Sequence, residues 1–228
     1  MQVGDFVDHS GCTMDASGVY CLSYAEIDAA AEALIRSIDP RLLEKPQQIP
    51  ILDWLENGVF GNEFEYRNIV LPKARGLTSF NGKWIIVRDS ETEKLEFIYI
   101  RPGTIVINET LDEQGKRYTG GHETVHFLEH GYYYVQRKES IAADNDIATM
   151  PGNADFWLEK QANYGAAAIL MPRRTLEMVA REFVPKDQML SSRCPDYSAL
   201  VKKVATTFNV SLQAAGIRLR QCGYIDEY

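Results

Sequence analysis

Tyr118-Thr-Gly-Gly-His122-Glu123-Thr-Val-His126-Phe-Leu-Glu-His130 is the stretch on which the reading of this 228-residue chain turns. On an α-helix, positions i and i+4 lie about 6 Å apart along the axis and about 40° apart around it. His122 and His126 can therefore bring two imidazoles to one divalent ion, at about 2.0–2.1 Å each if the ion is zinc. Glu123, beside the first histidine, is placed to take a proton from a water as that water attacks a carbonyl. HExxH fixes only three positions and also arises by chance in solvated helices. Its surroundings favour a site: a strand-like Thr104-Ile-Val-Ile-Asn108 precedes it, and Gly120-Gly121 lets other backbone come close.

A catalytic zinc takes a third protein ligand and keeps one open position. His130 continues the i+4 series, but eight residues on the drift is about 80° and the rise about 12 Å. No glycine lies between His126 and His130 to break the helix, so His130 is expected as a wall or supporting residue. Glu159 fits better. It opens Glu159-Lys-Gln-Ala162-Asn163-Tyr-Gly-Ala166, in which Asn163 stands one turn further on the same face and can accept a histidine's remaining N–H. Its plain alternative is a solvated charge on an amphipathic helix. The expected set is His122, His126 and Glu159 on the metal, Glu123 as base and Asn163 in support.

Working outward, residues 1–22 lack periodicity and are expected to form a poorly ordered lead-in, followed by a metallopeptidase domain over 23–228. Ser23 and Glu26 make a capping box for a helix that Pro40 ends, and a short helix covers Ile51 to Asn57. Strand patterns fill 63–108: Glu63–Val70, Thr78–Phe80, Lys83–Val87, Leu95–Ile100 and Thr104–Ile107. Asn81-Gly82 predicts a hairpin joining the second and third of these. Helices follow at about Tyr118–Gln136, Asp155–Met171 (halted by Pro172), Ser198–Phe208 and Ser211–Cys222. The class is α+β, with a small, largely antiparallel sheet ahead of the helices.

Composition narrows the functions. Hydrophobic residues at 45% and aromatics at 11% mark a folded chain, and no run approaches the roughly 20 apolar residues that span a bilayer. The opening residues carry no signal-peptide pattern, which predicts a cytoplasmic protein. With 24 basic against 32 acidic residues and no long basic run, nucleic acid is not an expected partner. The four cysteines include no CxxC pair and predict reduced thiols. His9, Cys12 and Cys21 fit no zinc module, and Asp144-Asn-Asp146 lacks the glycine and glutamate of a calcium loop. Residues 200–215 have a helix-turn-helix pattern, and Lys202, Lys203, Arg218 and Arg220 could reach phosphate, but the acidic overall charge weighs against that role. Tyr118, Tyr132, Tyr133, Tyr134 and Tyr164 all lie near the motif helices, and spacing does not choose an oxyanion donor among them.

These segments together resemble the ImmA/IrrE family of metallopeptidases. The likeness covers about residues 95–225 and rests on Thr104-Ile-Val-Ile-Asn, Tyr118–His130, Glu159-Lys-Gln-Ala-Asn-Tyr-Gly-Ala-Ala-Ala-Ile-Leu-Met-Pro172, and the tail from Phe208 to Gly223. It implies zincin-like catalytic helices with a C-terminal helical pair (195–225) packed on them. It also implies zinc on His122, His126 and Glu159, with Glu123 as general base and Asn163 in support. Family members typically cleave or inactivate helix-turn-helix repressors, so the implied partner is a protein substrate of that kind. The competing expectation is a zinc-containing module that binds a repressor or antitoxin without cutting it. Departures are Val125 where the family often has Gly, Gly120-Gly121 for Leu-Ala, and Gln161 for a frequent Glu.

Overall fold

The structure, a computed structural model, describes residues 6–61, 64–137, 141–143 (backbone only) and 154–226. Asp144-Asn-Asp146 and the expected strand start at Glu63 lie outside the described residues. The first helix, α1 (Tyr24–Ile38), begins at the predicted capping box: Glu26 N–H donates to Ser23 Oγ at 3.3 Å, and Ser23 N–H to a Glu26 carboxylate oxygen at 2.7 Å. A short α2 follows (Ile51–Glu56). Five strands come next: β1 (Glu65–Ile69), β2 (Gly76–Ser79), β3 (Lys83–Arg88), β4 (Leu95–Ile100) and β5 (Thr104–Asn108).

The main sheet has the order β1-β5-β2-β6, where β6 is the short strand Ile141–Ala143. Only β1 and β5 run parallel; β2 is antiparallel to both β5 and β6. All five residues of β5 are buried, as suits a strand covered on both faces. The hairpin expected at Asn81-Gly82 does not form between β2 and β3. Gly82 does turn with φ 73°, but β3 pairs with β4 in a separate two-stranded sheet. The turn is a corner: a Cβ on Gly82 would lie 2.3 Å from the Tyr99 hydroxyl and 3.1 Å from Pro102, so the chain is packed there and leaves for a second layer. Ile85, Val87, Ile98 and Ile100 turn into the molecule, whereas Trp84, Ile86, Phe97 and Tyr99 face outward.

Beyond β5, apart from β6, the elements among the described residues are helices. The motif helix α3 (Glu113–Val125) starts earlier than expected, at Asp112, whose carboxylate accepts the Gly115 N–H at 2.7 Å. It passes through one π-helical turn (His126–His130) into α4 (Gly131–Gln136). The remaining helices are α5 (Ala154–Leu170), α6 (Arg173–Ala180), α7 (Pro195–Phe208) and α8 (Leu212–Gln221). The sequence pattern missed α6, because Pro172 reads as a stop yet also occupies the N-cap position of the next helix.

Helices α3 and α5 pack closely enough that small residues decide the fit. A Cβ on Gly165 would lie 2.7 Å from Val125 Cγ2. The bulk of Val125 is thus accommodated by a glycine on the facing helix. The C-terminal pair docks through two buried arginines. Arg117 of α3 donates to the carbonyls of Ile49, Phe208 and Asn209, closing the end of α7. Arg218 of α8 donates to Asp28 of α1 at 2.6 Å and to the Met171 carbonyl at 3.2 Å. Arg218 is therefore not available for phosphate, and Lys203 lies 3.8 Å from Glu182.

Residues 6–22 differ from the expected disorder. Phe6, Val7 and Val19 are buried, and Met14 bridges Tyr20. Individual anchors hold this strap: Val7 N–H and His9 Nε2 meet the Glu129 carboxylate at 3.1 and 2.5 Å, and Tyr20 N–H meets the Tyr132 hydroxyl at 3.1 Å. Such isolated contacts carry no sequence period. Among the described residues, no helix is long and apolar enough to cross a membrane.

Candidate metal centre

The last turn of α3 carries His122, Glu123 and Val125 and leads directly to His126, all buried between the main sheet and α5. His122 Nε2 and His126 Nε2 are 3.1 Å apart. Glu159, on α5, reaches across with one oxygen 3.3 Å from His122 Nε2 and the other 3.2 Å from His126 Nε2. Both imidazoles are fully buried, while the Glu159 side chain keeps 26% of its surface, so the cluster meets solvent on the carboxylate side. Burial works against a charged Glu159, yet the two imidazoles beside it hold its carboxyl far below the usual carboxylate range. Among the described residues, this is the only group of three or more His, Cys, Asp or Glu with ligand atoms close enough to share an ion. Three electron-pair donors at this spacing repel one another unless positive charge lies among them. Two imidazoles and a carboxylate are also a donor set suited to a borderline divalent cation. The residues fit a metal.

The outer contacts set the orientation of the rings. Asn163 Oδ1 lies 3.2 Å from His122 Nδ1 and accepts the Tyr118 hydroxyl at 3.0 Å. An amide oxygen only accepts, so His122 carries its proton on Nδ1 and presents Nε2 as an electron pair. His130 does not join the cluster. The π turn, which lacks any glycine or proline signal, sets it behind His126 with the two Nδ1 atoms 2.9 Å apart. Its Nε2 lies 3.1 Å from Gln161 Oε1. Burial, with His126 alongside, lowers the pKa of His130 well below that of an ordinary imidazole, so it is neutral.

Glu123 is fully buried, with one carboxylate oxygen accepting the Thr78 hydroxyl at 2.7 Å. The same hydroxyl lies 3.1 Å from the Glu123 carbonyl, so β2 grips this turn of helix by side chain and backbone together. Close approach depends on Gly76, where a Cβ would lie 2.4 Å from Thr119 Cγ2 and 3.0 Å from Glu123 Oε1. Thr78 had no local signal in the sequence; its partner lies 45 residues away. Of the tyrosines left open, Tyr164 donates to Asp28 at 3.0 Å, Tyr134 stacks on Phe80, and Tyr132 accepts from the strap. Tyr118, through Asn163, is the one bonded to the support of a cluster residue. The residues His9, Cys12 and Cys21 do not gather: His9 turns to Glu129, and Cys12 Sγ lies 3.8 Å from a Glu26 oxygen.

The peptidase M78 family model, described as the IrrE N-terminal-like domain, matches residues 82–220, more than half of the chain and the whole of the cluster. A comparison with curated proteins finds no match.

Proposed function

Because the chain belongs to the IrrE N-terminal-like peptidase family, we propose that it is a zinc-dependent endopeptidase that cuts, and so inactivates, a helix-turn-helix repressor protein. Membership carries a metallopeptidase-type function acting on protein. The observation that supports the finer reading is the meeting of His122 Nε2, His126 Nε2 and the Glu159 carboxylate within 3.3 Å of one another.

In this reading those three side chains would hold the ion. Zinc held there would supply Lewis-acid chemistry. Glu123 takes the proton of the attacking water on its carboxylate and returns it to the leaving amine. The Thr78 hydroxyl keeps that carboxylate in one rotamer, and Asn163 keeps His122 in the tautomer that faces the ion. The domain is taken to run over 23–228, with α7 and α8 as part of it, and its free cysteines suit a reducing cytoplasm. The repressor as substrate comes from the family resemblance and not from the site.

The test is incubation of the zinc-loaded chain with candidate helix-turn-helix repressors. Discrete fragments are expected, with about one zinc per chain, and Glu123→Gln should slow their appearance by about 10²–10⁴-fold with zinc retained. A repressor bound but left whole would favour the non-cleaving module. Fragments that persist in Glu123→Gln would remove the assigned base.

A further inference from the structure

The two histidines of the cluster are oriented by different means. For His122 the support is one step deep, the Asn163 amide. Behind His126 lies a longer series of contacts that begins in the N-terminal strap and runs through three groups in succession.

Gln161 Nε2 lies 2.7 Å from the Tyr20 carbonyl oxygen. A carbonyl only accepts, so the amide end at that position must be the NH₂, and this fixes which way round the Gln161 amide sits. Its oxygen is then the atom 3.1 Å from His130 Nε2. That oxygen also only accepts, so His130 carries its proton on Nε2, and a neutral imidazole so protonated has an electron pair on Nδ1. The Nδ1 of His126 lies 2.9 Å from that pair and must donate to it. His126 then has its proton on Nδ1 and turns the Nε2 electron pair toward Glu159. Each step leaves no choice for the next. The rings are inclined at 71°, and the 2.9 Å between the two Nδ1 atoms places the contact on the nitrogens.

We propose that His130 and Gln161 are positioning residues which, anchored on the Tyr20 carbonyl, fix the tautomer of His126 so that its Nε2 faces the ion. The proposal rests on the ligand assignment made above. It also gives the strap, residues 6–22, a part in metal binding, although none of its side chains enters the cluster.

The test uses the full chain. Zinc affinity is measured by competition against a chelator for the unsubstituted protein, His130→Phe, Gln161→Met and the double variant. Loss of an outer partner of a ligating histidine costs about 10–100-fold in metal affinity. Each single variant should fall in that range, and the double variant should weaken binding no further than His130→Phe alone, because both act through one series of bonds. Independent packing roles would instead make the two losses multiply, which would overturn the proposal. So would a His130→Phe protein whose zinc affinity stays within about twofold of the parent. A second measurement needs no variant: ¹⁵N-resolved imidazole spectra of the zinc-loaded chain should place the His130 proton on Nε2. A proton on Nδ1 sinks the relay. If the parent binds no zinc at stoichiometry, the ligand assignment fails, and the two failures are thereby distinct.

Discussion

Two buried polar clusters lie on opposite faces of α5, and they are electrically unlike. On one face Glu159 meets His122 and His126, a carboxylate between two imidazoles. On the other, Tyr164 meets Asp28, which is closed by Arg218 at 2.6 Å and by Arg173 at 3.4 Å. The second cluster contains its own countercharge and fastens α1, α5 and α8. The first is a donor set that could hold a metal ion. A buried polar group that is matched within the chain holds the fold together; one left to be matched from outside marks where the chain does its work.

The contrast can be broken by substitution. Arg218→Met should produce the largest loss of stability, about 3–5 kcal/mol, by stranding Asp28 without its closest cation. Denaturant midpoints measure it, and a loss below about 1 kcal/mol would mean that Asp28 is not held as a buried ion. Glu159→Ala should behave in the opposite way. The metal-free chain should lose far less stability than it does in Arg218→Met, but the stabilisation conferred by zinc, about 2.7 kcal/mol at a hundred times its Kd, should disappear. Thermal melts with and without zinc give both numbers. If Glu159→Ala destabilises the metal-free chain as Arg218→Met does, the two clusters are of one kind.

Glu129 stands between these extremes. Desolvation pushes its carboxyl up from 4.5 to about 7, although His9 Nε2 is 2.5 Å away and works in the other direction. An acid whose folded pKa is raised binds its proton more tightly in the folded chain. Its contribution is therefore full below about 4.5 and is lost as pH rises through about 7. The expected slope is at most about 1.4 kcal/mol per pH unit, one proton's worth. Urea titrations at several pH values should show it in the parent and not in Glu129→Gln; an equal slope in both would clear Glu129 of any part. The smallest effect is expected for Tyr164→Phe, about 1 kcal/mol, since Asp28 keeps both arginines.

How much of this was legible in the sequence depended on distance along the chain. His122, Glu123 and His126 could be read because the helical period alone sets their geometry, and Glu159 with Asn163 because one turn of a second helix does the same. The capping box at Ser23 is a contact three residues long and was equally plain. Thr78, Gln161 and the strap could not be found in that way, because their partners lie far off in sequence and single contacts impose no repeat. The Asn81-Gly82 turn was real, but the strands that flank it pair elsewhere; local chemistry specifies a reversal and not the neighbour. The π turn carries no punctuation at all. His130 was expected to stand too far along the helix to be a ligand, and it is not one of the clustered groups, but nothing local foretold its contact with His126.

That turn has a mechanical corollary. Winding His126–His130 at the wider pitch takes up one residue more than an α-turn would. Tightening it would rotate everything beyond by about 100° about the axis, unseating Tyr134 from Phe80, whereas Arg137 and the Tyr133 ring it covers would turn together. The Arg137 guanidinium also grips the Ser17 carbonyl, so a slip of a single residue in the backbone would be felt at once in the strap.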